Sequence, residues 1–134
     1  MSEPSVIRYI SLEDVLHIRD QLAERYHDSF DVLRFQELLS ALATPQQSLF
    51  GEEIFPTLCT KAGMLLSALV RNHPFWDGNK RIALATAALL LERNGYTLQV
   101  DSVEADRFTT QLATGVADAA AAHGWITQHS RKNT

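Results

Sequence analysis

Between Gly78 and Gly95 lies the run Ile82-Ala-Leu-Ala-Thr-Ala-Ala-Leu-Leu-Leu91, apolar at nearly every position. A helix of this kind has no side it can turn to water, so other elements must wrap it. The stretch is too short to cross a bilayer. Gly78 or Asn79 opens the helix, Asn94 ends it, and Gly95 supplies the stop. A buried central helix therefore fixes the architecture, and the flanking segments must provide amphipathic cover.

Those segments read as helices, and strand-like alternation is nearly absent. Ser11 with Asp14 three residues later has the form of a capping box, and Leu12, Val15, Leu16, Leu22, Ala23 and Tyr26 form the stripe that follows. A second helix is expected from near Asp31, with Leu33, Phe35, Leu38, Leu39 and Leu42 as its apolar set, ending before Pro45. Residues 44–56 hold two prolines and a glycine without a helical stripe, which predicts an exposed loop or short hairpin. Pro56 suits a first helical position, and Leu58, Ala62, Leu65, Leu66 and Leu69 carry a third helix toward Arg71. Asp101 with Glu104 marks another start. Gly115 separates that helix from a last one over 116–129, and the tail Arg-Lys-Asn-Thr reads as frayed. The expectation is an all-α fold: one domain over 1–134, core about 9–129, with about six helices around a central buried helix and a short loop or hairpin.

Several function classes drop out. The formal net charge is −4, which argues against a partner read through its phosphate backbone. Cys59 is the single cysteine; it cannot form an internal disulfide, has no zinc-type spacing around it, and reads as a buried free thiol in a reducing compartment. No charged start followed by an apolar run marks a secretory signal, and no segment reads as membrane-spanning, so a cytoplasmic protein is expected. The basic residues do gather in one place. Arg71, Lys80 and Arg81 flank His73, a local positive pocket suited to a small anion.

That pocket coincides with the run His73-Pro74-Phe75-Trp76-Asp77-Gly78-Asn79-Lys80-Arg81. The first N–H groups of the central helix have no internal partners and sit at its positive end, a ready anion cradle. Asn79 can add an amide donor; Lys80 and Arg81 add charge suited to phosphate oxygens. Asp77, just before the cradle, is placed to hold Mg²⁺ against the same phosphates. His73 supplies an imidazole, the side-chain type suited to act as general base for a hydroxyl nucleophile. Taken singly, each of these residues is more often a cap, a turn or a satisfied polar group. Together in nine residues, they make the set that phosphoryl transfer needs.

The same run resembles the signature of the Fic/Doc family, His-x-Phe-x-Asp/Glu-Gly-Asn-Gly/Lys-Arg, at every fixed position. YISLEDVLHI near the start, SALATPQQSLFG before the third helix and ERNGYTL after the fourth extend the likeness over roughly residues 9–125. The short length and Lys80 resemble the Doc ("death on curing") branch. The resemblance implies a Fic/Doc-type bundle in which His73 deprotonates the target hydroxyl and Phe75 anchors the loop in the core. It implies that Asp77 coordinates Mg²⁺ and that Gly78, Asn79, Lys80 and Arg81 hold nucleotide phosphates. Trp76, at the family's variable position, is expected to pack beside the pocket.

Two departures from the AMP-transferring members narrow what the resemblance implies: Lys80 stands where they have Gly, and Leu84 where they carry a second Arg. Both are shared with Doc toxins, which act as kinases on a threonine of elongation factor Tu. Phosphate transfer from ATP to a protein hydroxyl, blocking translation, is therefore the preferred implication. AMP transfer on the same fold, or a non-catalytic binding module, is the alternative. No Glu is followed by Gly or Asn, so the family's built-in inhibitory motif is missing and restraint by a separate antitoxin, a short helix lying in an apolar groove, is implied. Residues 44–56 correspond to the family's target-aligning flap, where Leu49 and Phe50 either meet the partner or tuck into the core. Glu52 and Glu53 read as solvated, and His17, His27, His123 and His129 as surface or satisfied histidines.

Overall fold

In the computed structural model, which describes residues 6–134, the buried helix is α4, Asn79–Arg93. Ile82, Ala83, Thr86, Ala87, Leu90 and Leu91 are all buried along it. The one hydroxyl among them, on Thr86, donates to the Ile82 carbonyl 2.7 Å away, so it enters the core satisfied. The first five residues lie outside the described part, and with them the start of the domain expected over 1–134 and of the stretch read as free of a signal.

Five other helices complete the bundle among the described residues: α1 (Leu12–Tyr26), α2 (Phe35–Ala43), α3 (Leu58–Asn72), α5 (Ser102–Thr114) and α6 (Ala119–His129), of which α1, α3 and α5 pack against α4 and α2 packs on α3. All six contribute to one apolar cluster, which includes Val15, Leu38, Leu66, Leu90, Leu112 and Ile126. The fold is thus all-α, with four short strands added among the described residues. α3 packs against both α4 and α6. Its approach to α6 is close enough to require Gly63, since a Cβ there would stand 2.8 Å from the backbone N and Cα of His123. The capping box of α1 is formed in both directions by Ser11 and Asp14, and Asp101 caps α5 by accepting from the Glu104 N–H.

Three boundaries differ from expectation, each for a reason visible in the backbone pairing or the cap. α2 begins at Phe35, because Val32 forms an antiparallel bridge with Phe75 and the Leu33 and Arg34 N–H groups both donate to the Pro74 carbonyl. Its buried face is Leu38, Ala41 and Leu42, while Leu33, Phe35 and Leu39 stay exposed. Pro56 precedes α3 rather than opening it, for Thr57 is the cap and accepts from the Thr60 N–H. α6 begins at Ala119 with Asp118 as cap.

The tail is not frayed. β4 (Ser130–Lys132) pairs antiparallel with β3 (Tyr96–Leu98) in the register Tyr96 to Lys132, and the Asn133 N–H donates to the Gly95 carbonyl. Cys59 is only partly buried, its Sγ 3.7 Å from the Ser130 hydroxyl.

Residues 44–56 form a hairpin. A 3₁₀ turn (Thr44–Gln46) leads into β1 (Ser48–Leu49) and β2 (Glu52–Glu53), paired Ser48 to Glu53 and Leu49 to Glu52. Glu53 is not merely solvated, because it accepts a 2.7 Å hydrogen bond from the buried Lys61 ammonium. No helix among the described residues is long and apolar enough to cross a membrane.

Candidate active site

α3 ends where the chain must change direction. His73 takes the left-handed conformation (φ 50°, ψ 56°) as the C-cap, a conformation that costs a non-glycine residue about 1–2 kcal/mol. The following proline disfavours the right-handed helical region at position 73, so the helix cannot simply continue. The turn is buttressed from outside the motif. The Arg34 guanidinium donates to the His73 carbonyl (3.0 Å), and the Trp76 N–H donates to the Asp31 carbonyl (2.8 Å). Phe75 is fully buried, as the anchor reading requires.

Asn79 organises the loop from within. Its Oδ1 accepts from the Phe75 N–H (2.9 Å), and its Nδ2 donates to the Phe75 carbonyl (2.8 Å). This pair fixes the amide's orientation, since a flip would set donor against donor. The second N–H of Nδ2 then points at His73 Nδ1, 3.2 Å away, and the neutral imidazole carries its proton on Nε2. The side chain expected as a phosphate donor is therefore engaged inside the loop and buried. What Asn79 leaves for an anion is its backbone N–H.

The start of α4 departs from the side-chain capping seen at α1, α3, α5 and α6. Its N-cap is Gly78 (φ 76°), no side chain caps it, and no acid lies in its first turn. Lys80 and Arg81 occupy that turn instead, against the helix dipole. The first backbone hydrogen bond into the helix runs from the Ile82 N–H to the Gly78 carbonyl, so the N–H groups of residues 79–81 lie before the helical ladder. Gly78 is required twice over: its φ is positive, and a Cβ would meet the Phe30 ring at 2.9 Å. Phe30, itself left-handed (φ 49°) and buried, closes the floor beneath the helix start.

Around this end opens a cleft of about 630 Å³ lined by His73, Asp77, Gly78, Asn79, Lys80 and Arg81 together with Tyr26, Leu84, Asp106 and Thr109. The Lys80 ammonium donates to Asp106 (3.2 Å) and to the Thr110 hydroxyl (3.0 Å). The Arg81 guanidinium lies over the Tyr26 ring, 4.1 Å from its centroid, so Tyr26 belongs to the cleft rather than to the core stripe. Trp76 is 70% exposed and is not among the residues lining the cleft.

Asp77 is exposed and accepts the Gly78 N–H on Oδ1 (2.7 Å), leaving Oδ2 available. Among the described residues no group of three acidic, His or Cys side chains forms a cage for a metal ion. One carboxylate beside an anion cradle does suit Mg²⁺, which keeps waters and takes its other oxygens from bound phosphates. Leu49 and Phe50 stand at the hairpin tip, 60% and 96% exposed, so neither tucks into the core.

Sequence reasoning did not find Arg34, Phe30, Tyr26 or Asp106. Only Tyr26 carried a usable signal, an aromatic at the polar end of its helix; the others act through neighbours distant in sequence.

Comparison with known proteins agrees with this arrangement. The family model described as "Fic/DOC family" matches residues 9–91. "Toxin Doc" of Mycolicibacterium smegmatis is 39% identical over 93 residues, 69% of each chain. "Protein kinase doc" of Escherichia phage P1 is 33% identical over 109 residues, 81% of this chain and 85% of the relative.

Proposed function

This chain belongs to the Fic/Doc family, on its Doc branch, and from that premise we propose that it is a toxin kinase restrained by a separate antitoxin. Its substrates are ATP and a hydroxyl side chain of a protein, which we take to be elongation factor Tu, so that modification blocks translation. The observation that carries this reading is the meeting of His73 with the uncapped start of α4 in one cleft.

The γ-phosphate rests against the backbone N–H groups at the start of α4, with Lys80 and Arg81 supplying positive charge. Mg²⁺, held by Asp77, neutralises the phosphate oxygens when bound. The target oxygen attacks the γ-phosphorus, the bond to the β-phosphate oxygen breaks, and ADP leaves. The hydroxyl proton goes to His73. With the Nε2 proton in place, Nδ1 is the basic nitrogen, and its 3.2 Å contact with Asn79 is long enough to yield to an incoming hydroxyl. The exposed hairpin, with Leu49 and Phe50 at its tip, aligns the target by strand pairing. Phe35 and Leu39, one turn apart on α2 and uncovered, support docking of an antitoxin helix through its apolar face. The protein works in the cytoplasm, where both partners would be found.

The test uses ATP labelled on the γ-phosphate or on adenine, with Mg²⁺ and purified elongation factor Tu. Retention of the γ label alone, abolished by His73→Ala, is the expected result. Retention of the adenine label would replace phosphorylation by AMP transfer. No transfer of either label, with toxicity in growing cells unchanged by His73→Ala, would leave a binding module.

A further inference from the structure

Behind the hairpin a lysine is buried with its charge. Lys61, on α3, is 1% exposed. Its ammonium donates to the Phe55 carbonyl (2.6 Å), to Glu53 Oε1 (2.7 Å) and to the Pro45 carbonyl (3.2 Å). An ammonium has three N–H bonds, and all three are used. The acceptors come from both sides of the hairpin: Pro45 precedes β1, Glu53 lies in β2, and Phe55 follows it. One cation therefore clamps both ends of residues 45–55 onto a single helix.

Burying a charged amine is costly even when it is paired, and an apolar side chain of similar length would pack against α3 without that cost. The tip of the same hairpin is strained in its turn. Phe50 is almost fully exposed and left-handed (φ 51°), beside Gly51 at φ 83°, whereas a bulky residue avoids that region unless something fixes it there. Both strands leave their outer edges open, the surface on which an extended segment can add as a third strand.

We propose that Lys61 is a positioning residue for the protein substrate. It fixes the hairpin edge to the helix whose own C-cap is His73, twelve residues or about 18 Å further along. The receiving edge and the base are then set on one rigid element, and the target hydroxyl arrives at the base in one register. This rests on the kinase reading.

The test is a pair of variants, Lys61→Met and Glu53→Gln, assayed with purified elongation factor Tu and Mg²⁺-ATP. For Lys61→Met, the KM for the protein should rise about tenfold through lost pre-organisation, while the KM for ATP and kcat stay within about twofold. Amide exchange at Ile54, whose N–H donates to the Gln47 carbonyl, should accelerate, with the α4 amides unchanged. Glu53→Gln, which keeps the acceptor but removes its charge, should move the same quantities the same way by a smaller factor, and it decides the matter if Lys61→Met does not fold. An unchanged protein KM, with the hairpin amide exchanging faster, makes Lys61 a structural clamp only and overturns the proposal while the kinase reading stands. No label transfer by the wild-type chain defeats the kinase reading and this proposal with it.

Discussion

Replacing Asn79 with alanine separates two roles that one side chain could have at this site. As a nucleotide ligand only, Asn79 would matter to substrate binding and not to folding. The structure instead joins it to the Phe75 N–H, the Phe75 carbonyl and His73 Nδ1. Phe75 is fully buried, so alanine leaves two backbone groups without a partner, at about 1–3 kcal/mol each. The contact to His73 is longer and its partner exposed, adding about 0.5 kcal/mol. Alanine returns about 0.5 kcal/mol through its better helix propensity. The net loss is about 2–6 kcal/mol. At roughly 3–5 °C per kcal/mol for a chain of this length, Tm should fall by about 6–30 °C. Urea unfolding followed by far-UV circular dichroism measures the loss directly, with the m-value held as a check on two-state behaviour. A midpoint corresponding to less than about 0.5 kcal/mol would refute the loop-organising role and return Asn79 to the phosphates.

Gly78→Ala places a Cβ 2.9 Å from the Phe30 ring at a backbone φ of 76°, so a loss of about 2–4 kcal/mol is expected from left-handed strain plus overpacking; wild-type Tm would contradict it. Tyr26→Leu removes the ring beneath the Arg81 guanidinium and should raise the KM for ATP by about two- to fivefold, whereas Tyr26→Phe should not; equal effects of the two would show that the stack does not hold Arg81. The acid limb of stability should depend on two carboxylates. The hydrogen bonds from Arg93 hold Asp14 well below the usual carboxylate range, and those from Arg107, then Trp125, lower Glu104 to about 2. Because both folded values are depressed, the contribution is complete above the unfolded pKa near 4 and is lost as pH falls toward 2; urea midpoints from pH 6 to 2.5 should fall, and the fall should be shallower in Asp14→Asn.

What could be read in advance was whatever the chain states locally. The all-round apolar run announced α4, the Ser11–Asp14 and Asp101–Glu104 spacings announced two helix starts, and nine adjacent residues carried the family signature. What could not be read depends on partners far along the chain. Residues 31–34 look helical by their own pattern and are drawn into extended pairing by Pro74 and Phe75, some forty positions on. The Tyr96–Leu98 and Ser130–Lys132 strands, three residues each, are too short to show a period of two. Lys61 reads as an ordinary polar position on a helix, since nothing near it in sequence shows that Pro45, Glu53 and Phe55 converge on its ammonium. Asn79 reads from the sequence as a phosphate donor, and its bonds inside the loop depend on which way Phe75 turns its backbone.

The start of α4 also shows why a site is where local rules fail. Four of the other helices begin with a Ser, Thr or Asp side chain capping a backbone N–H. α4 begins with glycine, carries two cations at its positive end, and follows a histidine held in a left-handed conformation. The cations and the left-handed histidine oppose folding when nothing is bound. They share one remedy: a multiply charged anion at the helix start satisfies the free N–H groups, neutralises Lys80 and Arg81, and faces the imidazole that the left-handed turn presents. A sequence selected for stability alone would place acids, not Lys80 and Arg81, in the first turn. That it places two cations there instead, while α1, α3, α5 and α6 each start on a capping side chain, is the physical argument that the end of α4 is kept for a ligand.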